Sequence, residues 1–339
     1  MTVGQPRVVT FGEMLLRLSP ANRPRLFAST EMRSGFGGAE ANVAVSLAHQ
    51  GLECEYVSRL PENLIGDAAL AALRDEGVGV AQIARGPERM GLYFIEPGAD
   101  VGASRVVYDR AGSAFSAVTP ELFDWGAIFR GADWFHVTGI TAALGAGPLA
   151  TLHTSINAAR AARVPTSIDL NYRPALWRDR NPLPILSAIV QGVDLVIGNP
   201  HSVNAMLGIG ATEAEWNSGA GMRDIAERVA LACGCRSVAL TRREVTGTNE
   251  NRWGAALLDT VSGEFIRGPA RTVEVLDRIG GGDAFAAAFI AASLRGRAAA
   301  GVIEYALTSS TLKLRTPGDF NRASTAEIDA FAEQMRASS

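Results

Sequence analysis

Lysine is almost missing from this chain: Lys313 stands alone against 31 arginines in 339 residues. There is accordingly no G-x-x-x-x-G-K-[ST] loop and no Val-Ala-Ile-Lys strand, which excludes a P-loop and a protein-kinase phosphate clamp. Any phosphate must be met by backbone N–H groups, arginine or metal. Cysteine is scarce too. Cys54, Cys233 and Cys235 are too few for a disulfide framework. Cys233-Gly234-Cys235, at the passage from a helical stretch to an apolar strand, reads as buried small side chains. No uninterrupted apolar run reaches about 18 residues, and no basic patch precedes an apolar core at the N-terminus. The expectation is a cytoplasmic protein with no membrane partner. A net charge of −3 gives no reason to expect nucleic acid. His49, His136, His153 and His201 show no ligand spacing, and His136, inside an apolar strand, reads as a satisfied core residue. The absence of G-x-G-x-x-G argues against a dinucleotide-binding dehydrogenase.

What is present describes an ordinary globular protein, 47% hydrophobic and 20% charged, long enough for one large α/β domain with an appendage or for two domains. Strand patterns at Val8–Phe11, Glu53–Arg59, Asp133–Val137, Thr166–Asp169, Asp194–Ile197, Ser237–Leu240 and Gly254–Leu258 alternate with helical ones. The helical patterns cover Ala41–Gln50, Gly66–Glu76, Pro148–Arg163 and Met222–Cys233, and Ala284–Leu294 and Gly301–Leu314 follow with no strand between them. This alternation predicts an α/β fold with a parallel sheet covered on both faces. Met14–Phe36 and Gly91–Ser116 break the rhythm, being turn-rich with alternating polar and apolar positions. They predict paired antiparallel strands inserted after the first core strand and before the third, a lid over the strands' carboxyl ends.

Asp277-Arg278-Ile279-Gly280-Gly281-Gly282-Asp283 runs straight into an apolar helix. Glycines let the backbone approach a ligand, and the free N–H groups of a helix start attract anions. A carboxylate beside such a site suits proton abstraction from an attacking hydroxyl. A glycine turn whose Asp283 only stabilises the helix start is the other reading, and spacing alone leaves both open.

Several segments together carry a family resemblance. They are Gly12 to Pro20; Gly37-Gly38-Ala39-Glu40-Ala41-Asn42-Val43-Ala44; Tyr108 to Ala114; Asp169-Leu170-Asn171-Tyr172-Arg173; Asp277 to Asp283; and Pro317-Gly318-Asp319-Phe320-Asn321. In this order the chain resembles the ribokinase-like (PfkB) carbohydrate kinases along nearly its whole length, and within them the 2-keto-3-deoxygluconate kinases. The Asp277–Asp283 segment is similar to the family's D-T-x-G-A-G-D signature, with Arg278 for Thr and Gly281 for Ala.

The resemblance implies a three-layer α/β/α core at 1–13, 37–90 and 117–339, with a β lid at 14–36 and 91–116. It implies Asp283 as general base and Gly280, Gly281 and Gly282 as an anion hole for the transferring phosphoryl group. Gly37, Gly38 and Asn42 match the sugar-binding loop, the amide of Asn42 being suited to hydroxyls; a plain helix start is the alternative. Arg110, Arg173, Tyr93 and Tyr108 match residues that contact the sugar acid, and arginine's planar fork suits a carboxylate. Arg105 and Arg178 read as surface residues. ATP and Mg²⁺ are implied as cofactors, with a monovalent cation as a further candidate. No residue is assigned as a metal ligand.

The chain also departs from the family. Where many members carry N-x-x-E, it reads Asn199-Pro200-His201-Ser202, so the metal-organising glutamate is replaced by Ser202. Asn199 is still expected to reach a phosphate or a metal-bound water. Glu244 is a candidate substitute acid or simply a solvent-facing turn residue. Thr241-Arg242-Arg243-Glu244 replaces a lysine-glycine pair, and Arg242 and Arg243 are expected at the ATP phosphates. The reading is therefore an ATP-dependent kinase acting on the terminal hydroxyl of 2-keto-3-deoxygluconate. A neutral-sugar kinase and a non-catalytic sensor are the alternatives, and convergence of Arg110 and Arg173 on one end of the pocket is the discriminating feature. An exposed lid edge offers a pairing surface, from which a homo-oligomer is expected.

Overall fold

The computed structural model describes residues 4–21, 25–28, 30–96, 105–247 and 250–337; the parts of the expected lid at 22–24, 29 and 97–104 lie outside the described residues. The strands are β1 (Arg7–Phe11), β2 (Leu15–Pro20), β3 (Met32–Gly37), β4 (Glu53–Pro61), β5 (Ile83–Gly86), β6 (Gly91–Glu96), β7 (Arg105–Asp109), β8 (Trp134–Thr138), β9 (Thr166–Asp169), β10 (Leu195–Gly198), β11 (Ser237–Gly247), β12 (Glu250–Asp259), β13 (Phe265–Arg267) and β14 (Arg271–Glu274). The main sheet runs β13-β12-β11-β10-β9-β8-β1-β4-β5, with β14 also paired to β12. From β5 to β11 every pairing is parallel.

Apolar runs such as Val8-Val9 explain the layering. Successive side chains of a strand point to opposite faces, and Val8 and Val9 belong to separate buried clusters. One cluster packs the helices Ala146–Ala161, Pro182–Val190, Pro200–Leu207 and Gly219–Cys233. The other packs Ala39–His49, Leu64–Asp75, Gly281–Leu294, Ala299–Leu314 and Thr325–Ala337. The helix Gly281–Leu294 is buried on nearly all sides, as its unbroken Ala/Phe/Ile sequence requires. No helix among the described residues is long and apolar enough to cross a membrane.

A second sheet stands apart, in the order β3-β2-β6-β7. Its two antiparallel hairpins, β2–β3 and β6–β7, are joined by a parallel β2–β6 pairing. Two sequence expectations need correction. β5 was not anticipated, so the second insertion precedes the fourth core strand rather than the third. β11 continues seven residues past Leu240 and pairs antiparallel with β12. Its burial ends near Thr241, beyond which the strand itself is largely exposed, so the hydrophobic pattern that marked the strand stopped before the strand did.

Candidate active site

A cleft of about 660 Å³ opens at the carboxyl ends of the parallel strands, beneath the second sheet. All fourteen residues expected at a site line it: Gly37, Gly38, Asn42, Tyr93, Tyr108, Arg110, Arg173, Asn199, Arg242, Arg243, Gly280, Gly281, Gly282 and Asp283. Two helix starts meet there. Gly38 caps Ala39–His49 and Gly280 caps Gly281–Leu294. Asn42 Oδ1 accepts from Gly38 N at 3.3 Å, and its Nδ2 donates to Asp283 Oδ2 at 2.7 Å. Asn42 thereby orients Asp283, while its amide still lines the cleft where the sequence suggested contact with substrate hydroxyls.

Asp283 keeps part of its surface open to the cleft. Enclosure by protein, the largest cause, pushes its pKa up to about 6, while the Asn42 bond and the Arg173 charge oppose the rise. Burial likewise pushes Glu40 up to about 7, against hydrogen bonds from Thr138 N (3.0 Å) and Oγ1 (2.7 Å). Asp169 rises to about 7, first through burial and then through the charge of Asp283.

The three glycines differ. Gly280 has φ +79°, and a side chain there would also strike the Asp319 carbonyl, so only glycine fits. A Cβ on Gly281 would lie 3.0 Å from Leu314 Cδ2, whereas one on Gly282 would meet nothing nearer than Asp169 Oδ2 at 4.0 Å. A Cβ on Gly37 would collide with the Asp319 carboxylate.

The second sheet supplies the roof. The rings of Tyr93 and Tyr108 stack at 6.0 Å, and the Arg110 guanidinium lies over Tyr108 at 5.5 Å. Arg110 is already paired: Nε donates to Glu13 Oε2 at 2.8 Å, Nη2 reaches the same oxygen, and Ser113 Oγ donates to Glu13 Oε1. The Tyr93 hydroxyl donates to Asp319. Arg173 lies instead in the field of Asp169, Asp283 and Arg243. The two arginines therefore share a cleft but keep different electrostatic company, and only Arg173 lacks a carboxylate bonded to it among the described residues.

On the remaining side, Arg243 reaches solvent. Partial desolvation, then the like charges of Arg278 and Arg173, lower its pKa. Arg242 lines the same cleft and donates to Glu213 at 2.8 Å and to the Trp216 carbonyl at 3.3 Å. Asn199 Oδ1 accepts from Ser202 N at 3.0 Å, and Asn199 N donates to Ser202 Oγ at 2.9 Å. This is a complete capping box on Pro200–Leu207. Ser202 is fully buried in it and does not stand in for a metal-organising acid. Glu244 lines the cleft but is exposed. Among the described residues no group of three or more His, Cys, Asp or Glu is placed to hold a metal ion, so the side chains do not fit a protein-built Mg²⁺ cage.

His136 is buried and its pKa falls to about 3. Its Nδ1 meets Ser167 Oγ at 2.8 Å, but Nε2 has no partner among the described residues, so it is only half satisfied. Cys54, Cys233 and Cys235 are buried free thiols. Sequence reasoning assigned no role to Glu13, Arg17, Glu40, Asp169, Asp277 or Asp319. The Pro317–Asn321 segment was the available signal for Asp319. The Gly12–Pro20 segment likewise covers Glu13 and Arg17, but it does not show the partners of Arg17, which lie 260 and 302 residues away.

Comparison with known proteins agrees with this geometry. The pfkB family carbohydrate kinase model matches residues 5–326. The 2-dehydro-3-deoxygalactonokinase of Haloferax volcanii is 27% identical over 322 residues, covering 95% of each chain. The 2-dehydro-3-deoxygluconokinase of Bacillus subtilis is 27% identical, covering 97% of this chain and 96% of its own. The crystal structure of 2-dehydro-3-deoxygluconokinase from Thermotoga maritima superposes with a TM-score of 0.93 at 39% identity, covering 97% of this chain and 99% of that one. The architecture, the cleft and these relatives lead to one conclusion: the chain is a carbohydrate kinase of the pfkB family.

Proposed function

We propose that this kinase transfers the γ-phosphate of ATP to the terminal (C6) hydroxyl of 2-keto-3-deoxygluconate or a close sugar acid, with Asp283 as general base. The observation that carries the reading is the Asn42–Asp283 bond beside the Gly280 helix start, because it fixes the Asp283 carboxylate in the first turn of the helix whose free N–H groups suit an anion. A base with a pKa near 6 is mostly ionised at neutral pH yet basic enough to accept the proton as the hydroxyl attacks. The Gly281 and Gly282 amides stabilise charge on the phosphoryl oxygens, and phosphoryl transfer asks mainly for such positioning.

Arg173 is the cation for the sugar carboxylate, and Arg243 with Arg278 faces the triphosphate. Mg²⁺ would be held by the ATP phosphates rather than by protein carboxylates and would there offset phosphate charge. The movable lid comprises 14–36 and 91–116, and its exposed Val107 is where a second copy would pair. The relatives named for gluconate- and galactonate-type acids support the acid class for this chain.

The test is a coupled ATP-turnover assay over 2-keto-3-deoxygluconate, its galactonate epimer and neutral ketoses, with Asp283→Asn as control. Turnover confined to the keto-deoxy acids is expected, and turnover confined to fructose would defeat the acid assignment. The Arg110–Glu13 pairing favours one second reading, a neutral-sugar kinase, because it removes one of the two cations expected for a carboxylate.

A further inference from the structure

Four charged side chains that the proposed chemistry leaves unused lie beneath the Gly280 turn. Asp277 Oδ1 accepts from Ile279 N and Oδ2 from Gly318 N, both at 3.0 Å. One carboxylate thus ties the entry of the glycine turn to the loop that carries Asp319. That loop in turn presses its Asp319 carbonyl against Gly280. A single guanidinium holds both acids: Arg17 Nη2 donates to Asp277 Oδ2 at 2.8 Å, and Nη1 to Asp319 Oδ1 at 2.6 Å. The three side chains are only 12%, 13% and 3% exposed. Lys313 is fully buried, its Cε 3.1 Å from where a Gly280 Cβ would sit, and it supplies the second cation.

The decisive point is where Arg17 comes from. It sits on β2, in the second sheet, whereas Asp277, Asp319 and Lys313 belong to the core. Tyr93 on β6 adds a second contact from that sheet to Asp319. The loops that shape the anion hole are therefore charge-balanced partly by a residue of the sheet that roofs the cleft.

We propose that Arg17 is a positioning residue for phosphoryl transfer, setting the Gly280 turn through Asp277 so that the anion hole takes its working shape only while the lid sheet is seated. The proposal rests on the kinase reading above. Removing one partner of a buried ion pair leaves the other charge uncompensated. Without Arg17, Asp277 turns towards water and releases the Ile279 and Gly318 amides. ATP bound under an unseated lid then meets an incomplete anion hole, which limits its loss to water.

The experiment compares wild type, Arg17→Ala and Arg17→Lys. Hydrogen exchange is measured on the unliganded proteins, and steady-state kinetics with whichever sugar the wild type turns over. In Arg17→Ala the Ile279 and Gly318 amides should exchange about tenfold faster or more, with β8 and β10 unchanged. Its kcat should fall about tenfold or more, with KM for ATP within about twofold, and millimolar guanidinium should restore part of the rate. Arg17→Lys, a point charge without the fork, should fall between. Unaltered exchange at the two amides would sink the proposal, as would a kcat within about twofold of wild type. Faster exchange throughout the core strands would equally count against it, as general destabilisation. The exchange arm needs no substrate, so it decides the matter even where the sugar-acid reading fails.

Discussion

Asp283 carries opposite consequences for rate and for stability. Its carboxyl must be unprotonated to act as a base, so kcat/KM should decline as pH falls through about 6. Asp283→Asn should lower kcat roughly 10²–10⁴-fold. The folded-state pKa lies above the ordinary 3.8, so the native state binds the proton more tightly than the unfolded chain. Stability due to this group is therefore lost as pH rises from about 4 to about 6. At neutral pH, Asp283→Asn should gain on the order of 2–3 kcal/mol, and the gain should vanish below about pH 4; urea unfolding at both pH values checks it. Arg173→Met should raise KM for the sugar acid roughly 10–100-fold, the worth of a charge-assisted bond, and leave neutral ketoses unaffected in the same assay. At this scale residue types were readable in the sequence, but partners were not. The Arg110 charge was evident, whereas Glu13, which cancels it, lies 97 residues away.

Among elements, the helix starts matter most. Gly280→Ala must adopt a positive φ and meet the Asp319 carbonyl, so it should cost about 1–3 kcal/mol and most of kcat. Gly282→Ala has room and should melt close to wild type while slowing turnover through the methyl group in the cleft. Calorimetry paired with kinetics separates the two. Ser202→Ala should cost about 1 kcal/mol through the lost cap yet keep kcat within about twofold, because the hydroxyl serves the helix Pro200–Leu207; a large fall in kcat would return Ser202 to the metal question. The core strands from Val8 to Leu258 and the long helices were legible to within a few residues because their apolar runs match burial on both faces, whereas the helices Pro182–Val190, Pro200–Leu207 and Thr325–Ala337 and the short strands β13 and β14 were missed. β5, with its half-buried Ile83-Ala84-Arg85, and the exposed end of β11 carry no such run.

For the whole molecule, alternation of strands and helices announced the layered core, and the turn-rich segments announced the second sheet. What could not be read was how the sheets are charged against each other, since Arg17, Asp277 and Asp319 meet only once the chain has folded. Lys313 belongs to the same buried set and is fully enclosed. The folded protein consequently shows no lysine amine to the outside, although arginines cover it. An acylating reagent such as an N-hydroxysuccinimide ester should modify Lys313 only in molecules that have opened. The mass-spectrometric rate of that single adduct then becomes a clock for opening of the native state, ticking faster in any variant that loosens the ground under the glycine turn.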